Sequence, residues 1–127
     1  MARADAPIPA SRGELGARAE ALATDYLARQ GLVLVARNFR SRRGEIDVIV
    51  RDRDTLVFVE VRLRSQAAFG GAAASITPAK RARLLAAAHA YLATLEREPP
   101  CRFDAILLDG LDPARIRWER DILEADS

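Results

Sequence analysis

The sequence predicts an α/β domain in the order α-β-β-β-α-β, with a mixed sheet flanked by helices. Three observations predict it. Apolar residues recur at helical spacing through Leu15, Ala19, Leu22, Ala23, Tyr26 and Leu27. Two β-rich runs, Glu45 to Arg51 and Thr55 to Arg64, follow each other across a short polar break. A second helical run begins at Thr77-Pro78 and leads into a further strand at Arg102 to Leu108. At 127 residues the chain is long enough for one core and too short for two.

Each element has local reasons. Ser11 with Glu14 has the form of a capping box, and Gly31 ends the first helix. Leu32 to Asn38 reads as a first strand, and Ser41 to Gly44 as a polar turn bearing arginines. Arg51-Asp52-Arg53-Asp54 carries no apolar residue, so the two strong strand runs form a hairpin around it. Gln66 to Ser75 is small and glycine-bearing, which predicts a flexible loop. Thr77 is placed to cap the second helix, with Pro78 in its first turn. Arg81, Leu84, Leu85, Ala88, Tyr91, Leu92 and Leu95 continue it, and Pro99-Pro100 close it. Asp109-Gly110 ends the next strand, and Ile116 to Leu123 reads as a last edge strand. The expected organisation is a flexible leader over 1–11, a single domain over 12–123 and a tail over 124–127.

Composition narrows the function classes. Half the residues are hydrophobic and 30% are charged, a globular balance that argues against disorder. No apolar run approaches the ~18 residues of a membrane span, and the first twelve residues lack the apolar segment of a secretory signal. Cys101 is the single cysteine and has no internal disulfide partner, so a cytoplasmic location is the expectation. The net charge is only +2, and of 20 basic residues Lys80 alone is a lysine. Arginine abundance follows alanine abundance, as in a GC-rich genome. Placement says more. Arg37, Arg40, Arg42 and Arg43 crowd one stretch, while Arg62, Arg64, Lys80, Arg81 and Arg83 form a second group. Arginine presents a planar fork of donors suited to phosphate.

The hairpin carries the chemistry. A two-residue turn at Arg53-Asp54 sets Asp52 opposite Thr55, Val48 opposite Val59 and Asp47 opposite Glu60. One face then holds Ile46, Val48 and Val50 against Val57, Val59 and Val61. The other holds Glu45, Asp47 and Ile49 against Phe58, Glu60 and Arg62. The apolar face explains why the strands exist, but not why two carboxylates oppose each other on the far side. Like charges directly opposite destabilise a sheet unless neutralised, and a divalent cation with hard oxygen ligands does this well. The plainer alternative is a solvated sheet face, with Glu45 and Arg62 as a cross-strand ion pair.

Gly44-Glu45-Ile46-Asp47-Val48-Ile49 and Leu56-Val57-Phe58-Val59-Glu60-Val61-Arg62 resemble the signature of the YraN-like bacterial proteins. The resemblance extends to Gly16 and Glu20, Arg37-Asn38-Phe39-Arg40, Phe69-Gly70, Lys80 and Arg102-Phe103-Asp104. That family is grouped with the restriction-endonuclease-like PD-(D/E)xK superfamily and is similar to archaeal Holliday-junction resolvases. The resemblance implies a restriction-endonuclease-like fold with Asp47 as the metal-binding aspartate. It implies Glu60 as the acidic residue of the third strand, the Val61 carbonyl as a further ligand, and Glu20 as the first-helix glutamate of the resolvase-like branch. Together these would hold one or two Mg²⁺ (or Mn²⁺) ions and activate water against a phosphodiester. Beside that stands the reading of Glu20 as a solvated helix charge.

The chain departs from the pattern at Arg62, where lysine is expected. Arginine keeps the charge but does not act as a base near neutral pH. Three accounts stand open: the metal activates water unaided, Lys80 reaches in from the second helix, or catalysis is lost while binding persists. The leading expectation is a metal-dependent endonuclease acting on DNA, branched DNA included, with RNA left open. The alternative is a non-catalytic nucleic-acid-binding or interaction module that keeps the nuclease fold. Arg37, Arg40, Arg42, Arg43, Lys80 and Arg81 are the expected nucleic-acid contacts. A homodimer is expected by analogy only, and no membrane partner. His89 and Trp118 read as structural, Cys101 has no feature of a nucleophile, and Asp104 reads as a sheet or loop hydrogen-bonding residue. Gly70-Gly71 lacks the spacing of a phosphate loop.

Overall fold

The first helix, α1, runs over Arg12–Arg29, and its apolar residues recur three and four apart. Its end is a Schellman motif. Leu32 N–H donates to the Leu27 carbonyl and Gly31 N–H to the Ala28 carbonyl, with Gly31 at φ +95°. Leu27 and Leu32 are buried in the same cluster, the apolar contact that this motif favours. The computed structural model describes residues 12–64 and 77–123. The expected leader with its Ser11 cap, the loop 66–75 with Phe69 and Gly70-Gly71, and the tail 124–127 lie outside the described residues.

Five strands follow: β1 (Val33–Arg40), β2 (Glu45–Asp52), β3 (Thr55–Arg64), β4 (Cys101–Asp109) and β5 (Ile116–Glu119). The second helix, α2 (Pro78–Leu92), joins β3 to β4. The sheet order is β1-β2-β3-β4-β5. All neighbours are antiparallel except β3 and β4, which run parallel because α2 carries the chain back across the sheet. This is the α-β-β-β-α-β core with a mixed sheet flanked by helices, in a restriction-endonuclease-like topology. No helix among the described residues is long and apolar enough to cross a membrane.

The two helices cover opposite faces. Val48, Val50, Val57, Val59, Ile106 and Leu108 pack with Ala19, Ala23 and Leu27 of α1. Ile49, Leu56 and Phe58 pack with Ala87 and Ala88 of α2. The turn at Arg53-Asp54 has the two-residue form expected, with Asp52 paired to Thr55 and Val48 to Val59. One expectation fails: Ile46 lies with Ile49 and Phe58 under α2, not with Val48 and Val50 under α1. Strand alternation is therefore broken between Ile46 and Val48, where β2 stays paired to β1 but its pairing to β3 has ended. Asp47 stands at that break.

Two ends also differ from the sequence reading. The helix α2 stops at Leu92, before Leu95, because the Thr94 hydroxyl donates to the Tyr91 carbonyl at 2.6 Å and the backbone tightens to i−3 bonds. The last strand stops at Glu119, before Leu123. There Asp121 adopts φ +56° and its N–H donates to the buried Asp104 carboxylate.

Candidate metal and phosphate site

The parting of β2 and β3 makes the site. Where the ladder would continue beyond Val48 and Val59, the Val61 N–H donates to the Asp47 Oδ2 at 2.8 Å. A side chain thus takes the place of a strand carbonyl, and the gap opens into a cleft of about 790 Å³. Asp47, Glu60, Val61 and Arg62 line it from the strands, Lys80, Arg83 and Leu84 from α2, and Arg40 to Glu45 from the end of β1, its turn and the start of β2. The turn is held by Ser41, whose N–H and hydroxyl both donate to the Gly44 carbonyl. Gly44 lies so close to α2 that an added Cβ would overlap the Arg83 carbonyl, so only glycine lets the turn seat there.

Electrostatics inside the cleft are strained in one direction and relieved in another. Asp47 titrates well above an ordinary carboxylate, raised from 3.8 to about 7. Burial is the main cause, the like charge of Glu60 adds to it, the Val61 N–H opposes it, and Glu20 and Glu45 add smaller like-charge contributions. Glu60 is buried, with two cations at its Oε2: Lys80 Nζ at 2.5 Å and Arg62 at 3.6 Å. Glu45 pairs with Arg40 at 3.4 Å, not with Arg62 as the flat-sheet register implies. That change follows from the same break, because Glu45 remains registered on β1.

Glu20 sits across Asp47 from this cleft. It lines a second hollow, of about 360 Å³, that shares Asp47, Val61 and Leu63 with the first. Its Oε1 is buried without a hydrogen-bond partner, and Arg37 approaches it only to 3.8 Å, too far for a hydrogen bond. A buried carboxylate oxygen without a donor is costly and suits a cation. The donor set of Asp47 and Glu60, hard oxygens under mutual repulsion, fits a divalent ion as a two-carboxylate site. Among the described residues no three His, Cys, Asp or Glu side chains form a metal-binding group.

The basic residues divide by geometry. Arg40, Arg42, Arg43, Lys80 and Arg83 surround the acidic pair. Arg37 faces Glu20 instead. Arg81 does not join them. It lines a separate cavity with His89, Cys101 and Phe103. One residue along a helix is a turn of about 100°, so Arg81 faces away from Lys80, while Arg83 and Leu84 share its face. That three-and-four spacing is the signal by which the sequence marks Arg83, and not Arg81, as the cleft residue. Asp104 lies outside the cleft, fully buried, and accepts from Arg102 Nε at 3.0 Å, Trp118 Nε1 at 2.9 Å and Asp121 N–H at 2.9 Å. Arg102 also reaches Asp52 at 3.2 Å, so this network ties the hairpin to β4 and the C-terminal segment.

Comparison with known proteins gives a consistent relationship. The model of the uncharacterised protein family UPF0102 matches residues 19–108, which include α1 from Ala19 through nearly all of β4. A UPF0102 protein of Cupriavidus taiwanensis is 55% identical over 118 residues, 92% of this chain and 88% of that protein. One from Nitrosomonas europaea is 51% identical over 114 residues, 90% of this chain and 97% of the relative. One from Methylobacillus flagellatus is 54% identical over 112 residues, 88% of this chain and 98% of the relative.

Proposed function

The chain belongs to the UPF0102 family, which is related to the restriction-endonuclease-like PD-(D/E)xK superfamily, and we propose that it binds nucleic acid and carries a metal-dependent endonuclease-like site for DNA phosphodiesters. Branched DNA is included in this reading. The observation that carries it is the opposition of sign within one cleft: Asp47 and Glu60 lie among Arg40, Arg42, Arg43, Lys80 and Arg83. A surface that only grips phosphate gains nothing from carboxylates that repel it.

In this reading Asp47, Glu60 and the Val61 carbonyl hold Mg²⁺ or Mn²⁺, with Glu20 beside Asp47 as a further acidic group. The ion, when bound, supplies Lewis acidity and makes water more acidic. The arginines bind flanking phosphates and set the register of the backbone. The Arg62 guanidinium lies 3.6 Å from the Glu60 carboxylate and adds a further positive charge for the nucleic-acid backbone. In phosphodiester hydrolysis the water oxygen bonds to phosphorus and the bridging P–O bond breaks. One end then carries a phosphate monoester, the other a hydroxyl, and solvent takes the remaining proton.

A specific observation favours a second reading. Glu60 already has two cationic partners, Lys80 and Arg62, which neutralise it without a metal. On that reading the protein is a nucleic-acid-binding module that keeps the nuclease fold without cutting. The test is a cleavage assay on single-stranded, duplex, flap and four-way-junction DNA with Mg²⁺, Mn²⁺ or EDTA, comparing wild type with Asp47→Ala. Metal-dependent cleavage lost in Asp47→Ala supports the nuclease. Salt-sensitive binding without cleavage supports the module. Absence of both overturns the nucleic-acid assignment.

A further inference from the structure

We propose that Lys80, carried into the cleft by the first turn of α2, is the cation that contacts the attacking water and the reacting phosphate, and that Arg62 serves as an outer phosphate contact. This rests on the nuclease reading of the same cleft. Three observations support it. First, both cations address the same atom, Glu60 Oε2, but Lys80 Nζ is at 2.5 Å and Arg62 at 3.6 Å. Only the lysine is within hydrogen-bonding reach of the buried carboxylate. An ammonium has three donors, so one bond to Glu60 leaves two for water and a phosphate oxygen.

Second, Lys80 is held in place from its backbone. Thr77 caps α2 and its hydroxyl accepts from the Lys80 N–H at 3.1 Å, with Pro78 setting the first helical residue. Lys80 therefore begins its side chain at a fixed point on the cleft wall, beside Arg83 and Leu84 of the same helical face.

Third, lysine is the wrong residue for that position by local rules. Three residues after a threonine cap, glutamate would complete a capping box and answer the positive end of the helix. This first turn carries no acidic residue and places a cation there instead. Local conflicts of this kind are expected where function outweighs stability. The Lys80 side chain is three-quarters buried, so it is no solvated surface charge that happens to fall in the turn.

The experiment compares wild type, Lys80→Ala, Lys80→Arg, Arg62→Ala and Asp47→Ala under identical Mn²⁺ and Mg²⁺ conditions, with folding checked by circular dichroism. Single-turnover cleavage, DNA affinity and Mn²⁺ affinity without DNA are measured for each. Lys80→Ala should slow the single-turnover rate by about 100-fold or more while DNA affinity falls less than about tenfold. Arg62→Ala should reverse that order, losing more in affinity than in rate. Lys80→Arg should recover DNA affinity but only part of the rate. Mn²⁺ affinity should rise several-fold in Lys80→Ala, because Glu60 loses the cation that competes for it, and rise less in Arg62→Ala. An active wild type with Lys80→Ala cleaving at the same rate, or Arg62→Ala losing the larger factor in rate, overturns the assignment to Lys80 alone. Mn²⁺ affinity unchanged in Lys80→Ala does the same without reference to activity. A wild type that cuts no DNA with either metal overturns the nuclease reading and this role with it.

Discussion

Replacing Asp47 by asparagine should stabilise the metal-free protein at neutral and alkaline pH. The folded-state carboxyl is raised from 3.8 to about 7, first by burial and then by Glu60. A carboxyl raised on folding binds its proton more tightly in the native state, so its contribution is fully present below about pH 4. It is lost as pH rises through about 7. A shift of roughly three units at 1.36 kcal/mol each sets a ceiling of about 4 kcal/mol. Relaxation and water entry in an open cleft reduce this, and about 1–3 kcal/mol is expected. Asparagine is isosteric, cannot ionise, and keeps an oxygen to accept from the Val61 N–H. The assay is urea unfolding in EDTA at pH 4, 6 and 8 for wild type and Asp47→Asn. The variant should gain most at pH 8 and nothing at pH 4. Added Mg²⁺ should stabilise wild type and leave Asp47→Asn unmoved, since only the wild type gains by binding the ion in the folded state. Equal stability at pH 8, or a gain confined to pH 4, would refute the account of Asp47 as a carboxylate strained by burial and like charge.

Other outcomes follow from the same geometry. Asp47→Ala should abolish metal-dependent cleavage, whereas Arg62→Lys should keep or raise it, read on a four-way junction with Mn²⁺. DNA affinity should fall with salt at a log–log slope of about −0.9 per phosphate contact. Alanine at Arg40, Arg42 or Arg43 should lower that slope by about one each, and alanine at Arg81 should leave it unchanged. Asp104→Ala should cost about 1–3 kcal/mol in urea unfolding, because it removes the fully buried acceptor of Arg102, Trp118 and the Asp121 N–H, while Arg102 stays partly solvated and keeps Asp52.

Much of the fold was legible because its signals are local. The Leu27-Leu32 contact around Gly31 ends α1 within a few residues. The Arg53-Asp54 turn sets the pairing of Val48 with Val59 without reference to anything distant. The end of that pairing was not legible. Alternation extends a ladder indefinitely, and nothing in Ile46-Asp47-Val48 says that β2 will follow β1 and leave β3 there. Continued alternation sets Asp47 opposite Glu60 as a ladder partner, whereas Asp47 instead reaches the Val61 N–H across a gap. The choice between Arg81 and Arg83 lay within reach of helical spacing. Which face of α2 looks toward the gap depends on a crossover whose path no local pattern encodes.

The residues that local rules disfavour are gathered in one place. Asp47 is a carboxylate raised by its surroundings, Glu60 is a carboxylate withdrawn from water, Lys80 is a cation at the positive end of a helix, and Glu20 keeps a buried oxygen without a donor. Had these been scattered, each would be a minor fault of packing. Three of them line a single cleft, and the fourth shares Asp47 with it. Asp47→Asn relieves one of them without breaking an ion pair and should add stability, and a chain under selection for folding alone would have accepted it. The arginines around the cleft give a reason for their retention. On the proposed reading they would bring a polyanion to that spot, where a divalent ion would relieve the carboxylates and Lys80 would meet a phosphate oxygen. On that reading the site is unfavourable only without its ligands, which is the energetic form expected of a binding site preorganised for charge.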